Sequence, residues 1–127
     1  MNFKGKTALV TGAAGGIGKS ITGKLMAKGC QVAVTDYDTS EVTATAHFDG
    51  DLLNADFCNT LPRRVANQLG KIDILVCNAA SNPFFGSMMD IPEEAFDKVM
   101  NNNIKSNHLL CQMVIPEMTE RKDGSII

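Results

Sequence analysis

Short apolar blocks alternate with amphipathic stretches along this chain, separated by glycine-rich or polar clusters. Thr7-Ala8-Leu9-Val10-Thr11 follows polar residues and leads directly into glycines, which predicts a buried strand ending in a tight turn. Over 16–28, Ile17, Ile21, Leu25 and Met26 recur at helical spacing, and Gly29 stands where a left-handed cap would end a helix. Residues 31–35 (QVAVT) predict a second strand, closing a βαβ unit of ~30 residues that a right-handed parallel crossover requires. The polar stretch 36–44 is too short for a crossover helix, and 45–48 predict a third strand. Thr60 followed by Pro62 predicts a helix start, with Val65, Ala66 and Leu69 on the helix and a stop at Gly70. Residues 72–78 (IDILVCN) read as a central parallel strand, apolar on both faces.

Asp90 and Glu93 then predict a capping box for a long helix over 91–119. In it Phe96, Val99, Met100, Ile104, Cys111, Val114, Ile115 and Met118 recur at helical steps, and Pro116 is expected to bend or end it. Gly124-Ser125-Ile126-Ile127 opens another strand. The order strand, helix, strand predicts an α/β fold, a doubly wound parallel sheet of about four strands plus the start of a fifth.

At 127 residues, 44% apolar and 20% charged, the chain fits a single domain over 1–127 and argues against disorder. A net charge of −2, with no basic cluster longer than Arg63-Arg64, gives no footprint for nucleic acid. No apolar run approaches the ~20 residues of a membrane span, and residues 1–6 lack the apolar core of a secretory signal, so a cytoplasmic protein is expected. Cys30, Cys58, Cys77 and Cys111 form no CxxC pair, and with only His47 and His108 beside them no metal site is expected; they read as reduced packing residues.

The chemistry concentrates where the first strand turns into the first helix. Gly12, Gly15, Gly16 and Gly18 leave the helix-start N–H groups and the positive dipole end open to an anion, and the absence of Cβ atoms lets a diphosphate approach the backbone. In the GxGxxG register Ala14 occupies the second glycine position. Gly18-Lys19-Ser20 also matches the end of a P-loop, GxxxxGK[ST], but the opening glycine of that motif would fall on Ala13. The register therefore disfavours nucleotide hydrolysis, and Lys19 and Ser20 are expected to be exposed first-turn residues.

Thr11-Gly12-Ala13-Ala14-Gly15-Gly16-Ile17-Gly18 resembles the TGxxxGxG pattern of the short-chain dehydrogenase/reductase family, whose fold is of the Rossmann type. Further matches follow in order: Asp36 at the end of the second strand, Asp51-Leu52 like the family's acidic-apolar pair beside the adenine, Asn78-Ala79-Ala80 like its NAG tripeptide, and Asn103-Ile104-Lys105-Ser106 like the segment bearing its catalytic asparagine. Ala80 departs from the usual glycine and Cys77 from an asparagine. Asn82-Pro83-Phe84-Phe85-Gly86 resembles a segment of some carbonyl-reducing members. The resemblance implies a cofactor site formed by Gly12, Ala14, Gly16, Ile17, Gly18, Asp36, Asp51, Leu52, Asn78, Ala79 and Ala80, with Asn103 as a catalytic residue.

Asp36 makes NAD the expected cofactor. A carboxylate accepts hydrogen bonds from the adenosine ribose hydroxyls but repels a 2′-phosphate, by ~1–4 kcal/mol at ~4 Å. Gly15 and Tyr37 stand where phosphate-binding relatives often carry a basic residue. The family's serine and YxxxK element have no counterpart here, since the one tyrosine, Tyr37, is followed four residues later by Glu41. The expectation is therefore the cofactor-binding part of an NAD-dependent oxidoreductase that interconverts alcohol and carbonyl by hydride transfer, inactive as this truncated chain. The alternative is a non-catalytic dinucleotide-binding or docking module. Expected partners are a small alcohol or carbonyl substrate in a complete form and a second copy docking through the long helix over 91–119.

Overall fold

Thr7–Thr11 (β1) is buried at all five positions because both faces of the strand are covered. A computed structural model describes residues 1–127 and places β1 in the middle of a five-stranded parallel sheet of order β3-β2-β1-β4-β5. β2 is Gln31–Asp36, β3 Ala46–Asp49, β4 Ile74–Val76 and β5 Ser125–Ile126. The register pairs Leu9 with Ala33 on one side and with Leu75 on the other.

Alternation along the strands divides the interior into two cores. Ala8, Val10, Val32, Val34 and Val76 meet Ile21, Leu25 and Met26 of α1 (Gly16–Ala27) on one face. Leu9, Ala33, Phe48 and Leu75 meet Leu61 and Val65 of α2 (Ala55–Leu69) and Leu110, Val114 and Met118 of α4 (Ser106–Arg121) on the other. This is the expected doubly wound arrangement, with the β2–β3 connection made without a helix.

Several boundaries differ from the sequence expectation. α2 starts at Ala55, five residues before Thr60, because Asn54 caps it by accepting the Phe57 N–H at 3.1 Å and Asp56 complements the dipole of its first turn. Pro62 is therefore interior to the helix. Its ~3 kcal/mol penalty is offset by burial of Cys58, Leu61, Pro62 and Val65 along one face. β4 covers only Ile74–Val76, although Asp73 and Cys77 extend its main-chain pairing through bonds to Thr7 and Ile127.

The helix expected over 91–119 runs without a break from Glu93 to Arg121, but its winding changes midway. Ser87 caps a 3₁₀ turn over Met88–Asp90, Pro92 stands at the start of α3 (Glu93–Met100), and no side-chain capping bond forms there. A π-helical segment, Asn101–Lys105, then joins α3 to α4. The polar side chains supply bonds to the carbonyls around it: Ser106 Oγ donates to Asn102 O, and Asn107 Nδ2 donates to Asn103 O at 2.8 Å. Pro116 neither ends nor interrupts α4, which continues to Arg121. No helix is long and apolar enough to cross a membrane.

At the amino-terminal edge of the sheet, the buried Asp73 carboxylate accepts the Thr7 N–H and the Lys71 ammonium, both at 2.9 Å, with Lys6 and Arg121 each 4.0 Å away. Arg121 also donates to Ile72 O at 2.8 Å, tying the end of α4 to the start of β4. A buried carboxylate is tolerated only when it is hydrogen-bonded and charge-compensated in this way.

All four cysteines are unpaired thiols. Cys77 packs against the α2/α4 core, where burial, reinforced by neighbouring Cys111, pushes its thiol from an ordinary 9.0 up to about 11. The folded state thus holds a proton that the unfolded chain loses first, so this contribution to stability is complete below pH 9.0 and lost as pH rises to about 11. Melting curves between pH 8 and 11 should show a decline that is shallower in Cys77→Ser, and at pH 8 iodoacetamide should leave Cys77 of the folded chain unmodified by mass spectrometry.

Candidate functional site

β1 is where the chain order of the sheet reverses, and a crevice opens there beyond the carboxyl ends of the strands. Its volume is about 440 Å³, and its floor is the turn from β1 into α1. Gly12 takes φ +63°, and a Cβ on it would lie 2.7 Å from Ala79 Cα. A Cβ on Gly18 would lie 2.3 Å from Gly12 O. Both glycines are thus required by close approach of the chain to itself. Gly16 is different, because a Cβ there would meet nothing within 4 Å, although Gly16 lines the crevice.

The first helical bond of α1 runs from Lys19 N–H to Gly15 O at 2.9 Å, so the N–H groups of Gly16, Ile17 and Gly18 have no helical acceptor. Gly15 brings no side-chain cap, and the first turn carries no acid. An uncompensated helix N-terminus therefore faces the crevice, with Ile17 exposed on its wall. Lys19 and Ser20 are exposed and do not line it, consistent with the disfavoured P-loop reading.

Asp36 ends β2 on one side of the crevice. Its Oδ2 accepts the Ala14 N–H at 2.9 Å and its Oδ1 accepts the Tyr37 N–H at 2.8 Å, so the carboxylate is fixed to the glycine turn. Beyond it, Tyr37 and Leu52 border the opening, while Asp51 accepts the Leu53 N–H at 2.9 Å and the Tyr37 hydroxyl at 3.3 Å. Partial desolvation, then the Asp51 and Asp36 carboxylates, push the Tyr37 phenol above its usual range, so it stays protonated near neutrality.

On the β4 side, Asn78 Nδ2 donates to Thr11 O and Gly12 O, both at 3.1 Å, and Ala79 N–H donates to Thr11 Oγ1 at 3.0 Å. Ala79, Ala80 and Ser81 continue the wall. Asn103, within the π segment, accepts the Ser81 N–H at 2.8 Å and donates to Ser81 O at 2.9 Å, using both ends of its amide.

Of the residues picked out in the sequence, Gly12, Gly16, Ile17, Gly18, Asp36, Leu52, Asn78, Ala79 and Ala80 line the crevice. Ala14, Asp51 and Asn103 stand behind it and hold its wall. Lys98 and Asn102 also line it and were not picked out, although their spacing of four residues places them on one helix face. No cluster of His, Cys, Asp or Glu able to hold a metal ion is present.

A sequence profile of the short chain dehydrogenases matches residues 6–127. Dehydrogenase/reductase SDR family member 4 of Bos taurus is 39% identical over 133 aligned residues, covering 96% of this chain and 48% of the relative, so the chain spans about half that protein's length. A metagenomic short-chain oxidoreductase solved in complex with NADP superposes with a TM-score of 0.88 at 29% identity, over 98% of this chain and 61% of the other. A short-chain dehydrogenase from Streptomyces avermitilis matches the fold with a TM-score of 0.90 at 24% identity, over 99% of this chain and 49% of the other. With the glycine turn, the strand order and the profile match coinciding over nearly every residue, this chain belongs to the short-chain dehydrogenase family.

Proposed function

We propose that this chain is the coenzyme-binding part of an oxidoreductase that interconverts an alcohol and a carbonyl, and that it binds NAD in preference to NADP. The observation that carries this reading is the space beside Gly16 at an uncapped helix start, since no contact within the chain requires glycine there while a diphosphate lying against the N–H groups would. A bound nicotinamide coenzyme supplies the hydride acceptor or donor. The protein residues bind and orient it: Gly16, Ile17 and Gly18 offer N–H donors to the diphosphate, Asp36 accepts from the adenosine ribose hydroxyls, and Leu52 and Ala79 provide apolar cover.

NADP accompanies one relative of 29% identity, but the residue that decides in this chain is Asp36. Its carboxylate is held by two N–H donors beside the turn, so a 2′-phosphate brought there would meet a fixed negative charge. Asn103 acts as a positioning residue, because its amide is committed to the Ser81 main chain. Tyr37, the one tyrosine, lies on the Asp36 side with Glu41 four residues later, and we infer that the 127-residue chain binds coenzyme without turning over.

Titration of the chain with NADH, followed by nicotinamide fluorescence, should saturate, and NADPH should bind more weakly. In Asp36→Ala the NADH-to-NADPH preference should fall by at least about fivefold, the equivalent of ~1 kcal/mol of lost repulsion. An unchanged ratio would refute NAD selection by this carboxylate.

A pair of glycine variants separates fold from binding. Gly16→Ala should melt at or slightly above the parent temperature, a helical Gly→Ala being worth up to ~1 kcal/mol, yet lose NADH affinity. Gly12→Ala should lower the melting temperature, since φ +63° and the Ala79 backbone at 2.7 Å both oppose a Cβ. Full NADH affinity in Gly16→Ala would remove the diphosphate from this turn.

A further inference from the structure

One acidic and one basic side chain line the crevice. Asp36 comes from the end of β2 and Lys98 from α3. A dinucleotide diphosphate brings negative charge into a space that already holds the Asp36 carboxylate, and Lys98 is the one side-chain cation there to offset it. Lys98 forms no ion pair, even with Glu94 one turn before it. Its ammonium is therefore free for a ligand.

Asn102 lies one turn after Lys98 and also lines the crevice. Its carbonyl oxygen accepts from Ser106 Oγ, but its side-chain amide makes no hydrogen bond within the chain. The position of this pair is fixed next door, where Asn103 clamps the π segment to both main-chain groups of Ser81. The clamp holds the π segment to Ser81 beside the crevice that Lys98 and Asn102 both line.

Building on the coenzyme reading above, we propose that Lys98 and Asn102 form the second wall of the dinucleotide site. Lys98 attracts the coenzyme's anionic portion, and Asn102 hydrogen-bonds its neutral adenosine portion. The division of labour follows from the chemistry of the side chains: an ammonium offers a mobile charge, whereas an amide offers one donor and one acceptor to a polar base edge.

The test compares NADH, ADP and adenosine as ligands of the 127-residue chain, at low salt and in 1 M NaCl. Lys98→Met should weaken NADH and ADP by about two- to fivefold at low salt, the range of an exposed ion pair, and leave adenosine unchanged. The difference should disappear in 1 M salt, where the screening length is ~3 Å, and Lys98→Arg should restore affinity. Asn102→Ala should weaken all three ligands, adenosine included, at both salt concentrations. Both positions are at least partly exposed, so melting temperatures should stay at the parent value. If the parent binds NADH and Lys98→Met binds NADH and ADP equally well, the second wall is refuted while the coenzyme site stands. If the parent binds no NADH, the coenzyme reading falls with it.

Discussion

The close approach of Gly12 to Ala79 is the contact on which the rest of the crevice depends. The end of β1 and the end of β4 come so near that a single methyl group would overlap backbone, and the gap is sealed by the Asn78 amide on Thr11 O and Gly12 O. Thr11 Oγ1 completes the seam, donating to Val76 O at 3.3 Å and accepting from Ala79 N–H. Because these bonds cross between two strands, the direction in which the chain leaves β1 is set by β4. That direction decides where α1 starts, which N–H groups face outward, and how far the turn stands from Ala80 and Ser81.

α1 is exceptional among the helices that begin from a loop. α2 has Asn54 as its cap and Asp56 in its first turn, and α3 begins with Glu93 and Glu94. α1 has neither a capping side chain nor an acid, although an N-cap side chain is typically worth ~1 kcal/mol. A fold that gives its other loop-started helices a cap or first-turn acids and leaves this one with neither has kept donors free at the floor of a cleft. Local rules are most often broken in this way at sites that meet a ligand, where the missing partner comes from outside the chain.

The parts visible in the sequence were those in which a short-range signal and the tertiary environment agree. β1 and the start of α1 followed directly from an apolar run and a glycine cluster. Ile17 shows the limit of periodicity, since it keeps helical spacing yet is 72% exposed on the crevice wall. Pro62 misled because proline is usual in a first turn, whereas the Asn54 cap and the buried face of α2 admitted it seven residues in. Apolar periodicity carries no mark of the π segment, within which Asn103 reaches the Ser81 backbone, a contact across 22 residues. Lys98 and Asn102 were hidden because the crevice they line is assembled from segments far apart in the chain.

Asp36 connects the folding of the turn to the coenzyme preference proposed for this site through one set of atoms. Accepting the Ala14 N–H anchors the carboxylate to the turn that would carry the diphosphate, and accepting the Tyr37 N–H sets its rotation. Each oxygen retains a lone pair, so ribose hydroxyls can add to these bonds without displacing them. A mobile carboxylate could swing away from a 2′-phosphate and lose its discrimination; one held from two sides cannot. On the coenzyme preference proposed above, discrimination would therefore come from the hydrogen bonds that shape the turn as much as from the charge that opposes the phosphate.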